Sequence, residues 1–317
     1  VVEMPIPPQG APDELPGRPD LAEIRGHGPA KRVLEIAAAG QHSLLLFGPA
    51  GSGKTMLARC LPDLLPPLSD EEAAEVSETH VRAGIEPPRG GRPPFRRPGL
   101  SLRPLGLLGS RTLPGEVSLA RGGVLLLNEL GALRPLVLRA LSELLDGESF
   151  GLHCLLTATM RSCPCGHYGS RLRSCTCTPA GHRRYWQPVA STVLERFDLA
   201  VEVPMVCLVE LRGAVGEQTS EVARRVAWVR EVQAERLGPH PGRLNAAMTL
   251  REIERHCGLD PAGKSLLDTA EKELRLAPRA VHAMLRVART IADLGGSATV
   301  RLSHLAEAIQ YQSDRHR

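Results

Sequence analysis

Short apolar runs punctuate the first two thirds of the chain, and each stops at a residue of different character. Leu44-Leu45-Leu46-Phe47 stops at Gly48, Val124-Leu125-Leu126-Leu127 at Asn128-Glu129, and Leu155-Leu156-Thr157-Ala158-Thr159-Met160 at Arg161. Runs this short and this uninterrupted predict buried strands. Val201-Glu202-Val203-Pro204 predicts one more. Helical patterns alternate with them. Pro29 to Ala39 predicts a helix stopped by Gly40, Met56 to Leu61 opens another, and Leu136 to Leu145 predicts an amphipathic helix closed by an Asp146-Gly147 turn. From 219 onward the pattern is helical: segments 220–237, 247–257, 262–274, 278–293 and 302–311 are separated by Gly or Pro signals. In the fourth, Val281, Met284, Leu285, Ala288 and Ile291 share one face. A first domain over 20–205 and a helical second domain over 219–317 follow.

Two stretches lack such patterning. Residues 1–19 are rich in Pro and Gly and read as a linker. Residues 62–118 read as irregular and basic, with Arg82, Arg89, Arg92, Arg96, Arg97, Arg103 and Arg111 among many Pro and Gly. The bland expectation for this Arg-rich insertion, about 80–112, is a solvated loop. The sharper one is a segment that lines a pore or touches phosphates.

Composition narrows the choice of partners. A chain of 317 residues can bury a sizeable core. Aromatics make up only 3%, against a binder that stacks bases on rings. A net charge of +4 means that any nucleic-acid surface must come from local clustering of Arg. No apolar run approaches the ~20 residues of a membrane span. The start, Val1-Val2-Glu3-Met4-Pro5, is no signal peptide and lacks an initiator Met, so the chain reads as a fragment or a processed product. Eight Cys without a signal belong in a reducing compartment, the cytoplasm, which favours metal or free thiols over disulfides.

The chemistry gathers at three places. Gly48-Pro49-Ala50-Gly51-Ser52-Gly53-Lys54-Thr55 has the spacing G-x-x-x-x-G-K-[ST] between a strand and a helix, a phosphate loop. Its glycines let successive N–H groups point at one anion, and the following helix presents its positive end to the same point. Lys54 reaches the outer phosphates and the Thr55 hydroxyl ligates Mg²⁺. The run ending in Asn128-Glu129 suits the strand beside that loop, where an Asp holds Mg²⁺ and a following Glu polarises the attacking water. Here Asn128 occupies the Asp position, and Glu129 remains. Third, Cys163-Pro164-Cys165 and Cys175-Thr176-Cys177 are close pairs that suit a tetrahedral Cys₄ zinc site, although one intervening residue is fewer than usual. Four reduced thiols in a loop are the alternative, and His167 is a spare ligand candidate.

Together these residues resemble the AAA+ module of the magnesium-chelatase-type ATPases, most closely their ComM/YifB-like branch. The likeness rests on Ala30 to Gly40, Leu44 to Pro62, Pro114-Gly115-Glu116-Val117-Ser118-Leu119-Ala120, Gly123 to Leu130, the two Cys pairs, Val193 to Pro204 and Leu285 to Leu294. It implies an α/β nucleotide-binding domain with a central parallel sheet, followed by a small helical lid. It also implies a homo-oligomeric ring, usually of six subunits, with ATP and Mg²⁺ between neighbours. Members of this branch are similar to DNA branch-migration motors; the chelatase branch powers Mg²⁺ insertion into porphyrin. By the same resemblance Glu129 is the catalytic Glu, Arg196 the arginine finger and Arg279 the lid's sensor Arg.

The chain departs from the family at three points. Asn128 stands for the Asp, and Arg161 for the Asn expected to orient the attacking water. Only Asp146 to Cys154 remain where the family places a β-hairpin, and the family's N-terminal Lon-like domain is not represented. An ATP-driven DNA motor, a ring subunit that binds nucleotide but barely hydrolyses it, and a chelatase subunit are the resulting expectations. Nucleotide binding is expected to survive the departures better than turnover.

Overall fold

The computed structural model describes residues 17–146, 153–238 and 243–313. The four apolar runs, joined by Phe95–Arg96 from the stretch expected to be irregular, form a five-stranded sheet of order β2-β3-β4-β1-β5, in which β1 is Leu44–Gly48, β2 Phe95–Arg96, β3 Val124–Leu127, β4 Leu155–Arg161 and β5 Leu199–Glu202. Every pairing is parallel, so all five strands end on one edge. Alternate side chains enter two different cores, as the two-residue period of a strand requires. Leu44, Leu46, Val124, Leu126, Leu199 and Val201 enter one. Leu45, Phe47, Leu125, Leu127, Leu156 and Met160 enter the other, beneath the Pro135–Asp146 helix. Burial on both faces explains why these runs lack polar interruptions.

The first core does not stop at the sheet. It passes through the Gly28–Gly40 helix into the C-terminal helices and includes Val226, Met284, Val287, Ile291 and Leu305. The helices Thr219–Leu237, Leu250–His256, Pro261–Leu274, Pro278–Leu294 and Leu302–Ser313 follow the expected segments closely. Polar bonds reinforce the junction. Gln233 Nε2 donates to Ala39 O at 3.0 Å, and Gln312 Nε2 donates to Asp198 O at 2.8 Å. His42 Nε2 lies 2.7 Å from Thr290 Oγ1.

The stretch 62–118 is more ordered than its composition suggests. Asp70–Arg82 is a helix, started by a capping box in which Ser69 Oγ accepts from Glu72 N while Glu72 accepts from Ser69 N. Arg96 is not solvated. It lies on β2, 1% exposed, and its Nε donates to Glu116 Oε2 at 2.8 Å. Arg82, Arg89, Arg92, Arg103 and Arg111 are exposed as expected. A further helix outside the expected segments, Pro179–Ala190, starts at a Thr178 cap with Pro179 and packs against the second core through Tyr185 and Trp186. The shortened hairpin region falls mostly on 147–152, outside the described residues, as do residues 1–16 of the expected linker.

Candidate functional site

The phosphate loop leaves the end of β1 and feeds directly into the Lys54–Arg59 helix. Gly48 adopts φ 153° and lies so close to β5 that a Cβ there would sit 2.3 Å from Val203 O. Gly53 adopts φ 89°, a left-handed turn that aims the helix start back across the loop. Lys54 is buried and folds over the loop, donating to Gly48 O at 2.9 Å and Pro49 O at 2.6 Å. Burial pushes its amine down to about 8; the Glu129 carboxylate opposes that fall and the Arg161 guanidinium adds to it. Lys54, Glu129 and Arg161 therefore share one electrostatic environment.

The parallel register explains how they meet. Gly48 pairs with Arg161 across β1 and β4, and Leu127 with Ala158 across β3 and β4. Asn128 and Glu129 thus emerge beside Thr159, whose hydroxyl donates to Asn128 Oδ1 at 3.2 Å and accepts from Glu129 N at 3.2 Å. Glu129 takes a left-handed conformation, φ 54°, which turns it off the strand. Its Oε2 lies 2.8 Å from Arg161 Nε. The strand ends accordingly bring together the loop, Glu129 and Arg161. Thr159 was not singled out by the sequence, because its role depends on strand register.

Arg196 and Arg279 lie elsewhere. Arg196 precedes β5, whose Leu199 pairs with Leu44 at the start of β1, so it sits at the opposite end of the sheet from the phosphate loop. Ser43, just before β1, accepts there from Asp198 N at 2.9 Å. Asp146 joins both arginines: its Oδ2 accepts from Arg196 Nε at 2.8 Å, and its Oδ1 pairs with Arg279 Nη1. Arg279 Nη2 also donates to Leu145 O at 2.6 Å. No sequence signal marked Asp146 as their common partner.

The cysteine pairs converge. The Sγ atoms of Cys163, Cys165, Cys175 and Cys177 all lie within 4.8 Å of one another, the one such group among the described residues. Main-chain N–H groups of Tyr168 and Cys177 donate to Cys163 and Cys175 Sγ at 3.3 and 3.4 Å. Main-chain donors from His167 and Thr176 hold the Cys165 thiol down, while burial and hydrogen bonds with neighbouring thiols push Cys175 and Cys177 up. Four convergent sulfurs that also accept N–H···S bonds suit a soft, thiophilic cation. The loop also touches the nucleotide site, because Ala50 N donates to Gly166 O at 2.8 Å. Trp186 fixes the start of this loop by donating to Ser162 O at 2.9 Å and meeting Phe47 edge-on at 5.7 Å.

A parallel sheet of this strand order, with a phosphate loop after β1 and an acid after β3, defines an AAA+ nucleotide-binding domain, here followed by a helical C-terminal domain. Residues 20–211 match the family model described as magnesium chelatase, subunit ChlI, and residues 216–312 the one described as its C-terminal part. The chain belongs to the magnesium chelatase ChlI family. It is 40% identical over 312 residues to competence protein ComM of Haemophilus influenzae, covering 93% of this chain and 60% of that protein. It is 37% identical over 312 residues to the uncharacterized protein YifB of Escherichia coli, with the same coverage. The chain thus spans about three fifths of the length of these relatives. No helix among the described residues is long and apolar enough to cross a membrane.

The family implies ATP and Mg²⁺. The loop, its helix start and Lys54 fit the phosphates. The metal set fits less well: Thr55 retains its hydroxyl, but Asn128 carries no charge and bonds Thr159, and Glu129 is paired with Arg161.

Proposed function

We propose that this chain is the ATP-binding motor segment of a six-membered homo-oligomeric ring that acts on DNA in branch migration or translocation. The observation that carries this reading is the separation of Lys54 and Glu129 from Arg196, at opposite ends of one sheet. An arginine so placed serves a nucleotide only across a seam, where it neutralises charge as the terminal phosphate leaves. Arg279, tied to the same Asp146, belongs to the same face and acts on the same neighbour's nucleotide. Glu129 polarises the attacking water. DNA enters through the likeness to competence protein ComM, supported by the exposed arginines of the insertion. The test is steady-state ATP turnover with and without branched DNA. DNA-stimulated turnover that disappears in Lys54→Ala is expected, and none at any protein concentration would reject the motor.

A second reading has its own support, the pairing of Glu129 with Arg161 beside an uncharged Asn128. In it the ring binds nucleotide and barely hydrolyses it. A misplaced nucleophile alone lowers the rate on the order of 10²-fold. Turnover in the Asn128→Asp, Arg161→Asn double variant should then exceed that of the parent, and equal rates would discard it. The cysteine cluster is proposed as a structural zinc site, closed by four thiolates and offering no open position for catalysis. Elemental analysis should find about one zinc per chain, lost on replacing Cys163 and Cys175 with Ser. Metal-free protein with intact nucleotide binding would reject it.

A further inference from the structure

The charges that face the phosphate loop are unusual for a site that must take a metal complex. Mg²⁺ is a hard cation, held through carboxylate and hydroxyl oxygens. The oxygens that the loop and strand-end motifs offer it are those of Thr55, Asn128 and Glu129. Asn128 Oδ1 already accepts the Thr159 hydroxyl proton at 3.2 Å, and an amide oxygen brings no charge. Glu129 is the carboxylate, and a guanidinium lies 2.8 Å from it. Lys54 lies over the loop at Gly48 O, Arg161 pairs in register with Gly48, and Glu129 lies against Arg161, so two cations and one carboxylate stand at this strand edge. Such a site is net positive before any metal arrives. It repels a divalent cation and attracts a polyanion.

Arg161 is also placed to use that attraction. It pairs with Gly48 in the β1–β4 register, so it stands beside the first residue of the loop. Its side chain is 42% exposed and that of Glu129 26%, so the pair opens to solvent, where a ligand enters. The Cys loop approaches its stem at Gly166, where an added Cβ would sit 3.3 Å from Arg161 Cδ. A guanidinium carries five donors, so one edge can stay on Glu129 while another binds a phosphate oxygen.

We infer that this site binds its nucleoside triphosphate without needing a divalent cation, with Arg161 supplying beside Gly48 the positive charge that a bound cation brings elsewhere. The inference rests on the nucleotide-binding reading above and specifies the form of the ligand. Arg161 is in this sense a specificity-determining residue, freeing the site of the need for the metal complex.

The experiment is calorimetric titration of the purified chain with ATP, in excess Mg²⁺ and in excess EDTA. The two dissociation constants should agree within about threefold. In Arg161→Asn, affinity in EDTA should fall at least ~10-fold, and Mg²⁺ should restore part of it. Adding Asn128→Asp should make binding fully metal-dependent, while Arg161→Lys should keep the parent's indifference to metal. A parent protein that loses tenfold or more in EDTA overturns the inference. So does an Arg161→Asn variant weakened equally in both solutions, which marks an ordinary phosphate contact. Failure of the folded parent, verified by circular dichroism, to bind ATP in either solution is a different result: it removes the nucleotide reading itself.

Discussion

Arg96 and Glu116 are the clearest case of chemistry hidden by composition. Among neighbours such as Arg92 and Arg97, Arg96 reads as one more solvated cation, yet both members of the pair are almost wholly buried. Breaking a buried pair from one side strands a charge and costs about 3–5 kcal/mol. Arg96→Met should lower stability by that order in urea unfolding, and much of the loss should return when Glu116→Leu is added. His42 supplies the pH dependence. Burial pushes its imidazole down to about 4, against the pull of Asp198. The unfolded chain therefore binds more protons between pH 4 and the usual imidazole range near 6.5, and stability falls as pH falls through that window. The loss is about 3 kcal/mol when complete. Melting temperature followed from pH 7 to pH 4.5 should drop steeply in the parent and less in His42→Asn. Lys54 and Glu129 were legible in the sequence because their chemistry is fixed by spacing along the backbone. Arg96, Asp146 and Thr159 were not, because each owes its role to a partner brought near by the fold.

Four of the five strands were read nearly in place, since a run buried on both sheet faces has no other simple explanation; Phe95–Arg96 was not, because two residues among Pro and Arg make no apolar run. The last strand starts two residues earlier than its apolar pattern, at Leu199, and Val203 still donates to Phe47 O at 2.7 Å just beyond it. The helices that escaped the sequence reading have physical reasons for doing so. Asp70–Arg82 offers few apolar residues, because Val76 is its one buried aliphatic side chain. Its start was nonetheless written in Ser69 and Glu72, a capping signal overlooked among basic, Pro-rich surroundings. Ser69→Ala should cost about 1 kcal/mol and fray the first turn, visible as slightly lower helicity by circular dichroism. Pro179–Ala190 carries Pro188 inside it, a residue that argues against a helix until the packing of Tyr185 and Trp186 is known.

The assembled protomer has a phosphate loop at one end of its sheet and Arg196 with Arg279 at the other. If each arginine serves the adjoining protomer, complementation follows. Lys54→Ala and Arg196→Ala should each abolish turnover alone, yet a mixture should regain part of it, because some seams then pair an intact loop with an intact arginine. No recovery on mixing, with assembly verified by light scattering, would place the arginine's action within one chain. The family resemblance was legible across nearly all of the sequence, but the joining of its two matched parts was not. One interior runs from Leu44 and Leu199 through the Gly28–Gly40 helix to Met284 and Leu305. A hinge between the sheet and the C-terminal helices would tear that interior open. Heating should accordingly produce a single calorimetric transition. In the ring proposed above, each copy would then swing as a rigid block, and any stroke would be relayed by slippage where one block abuts the next.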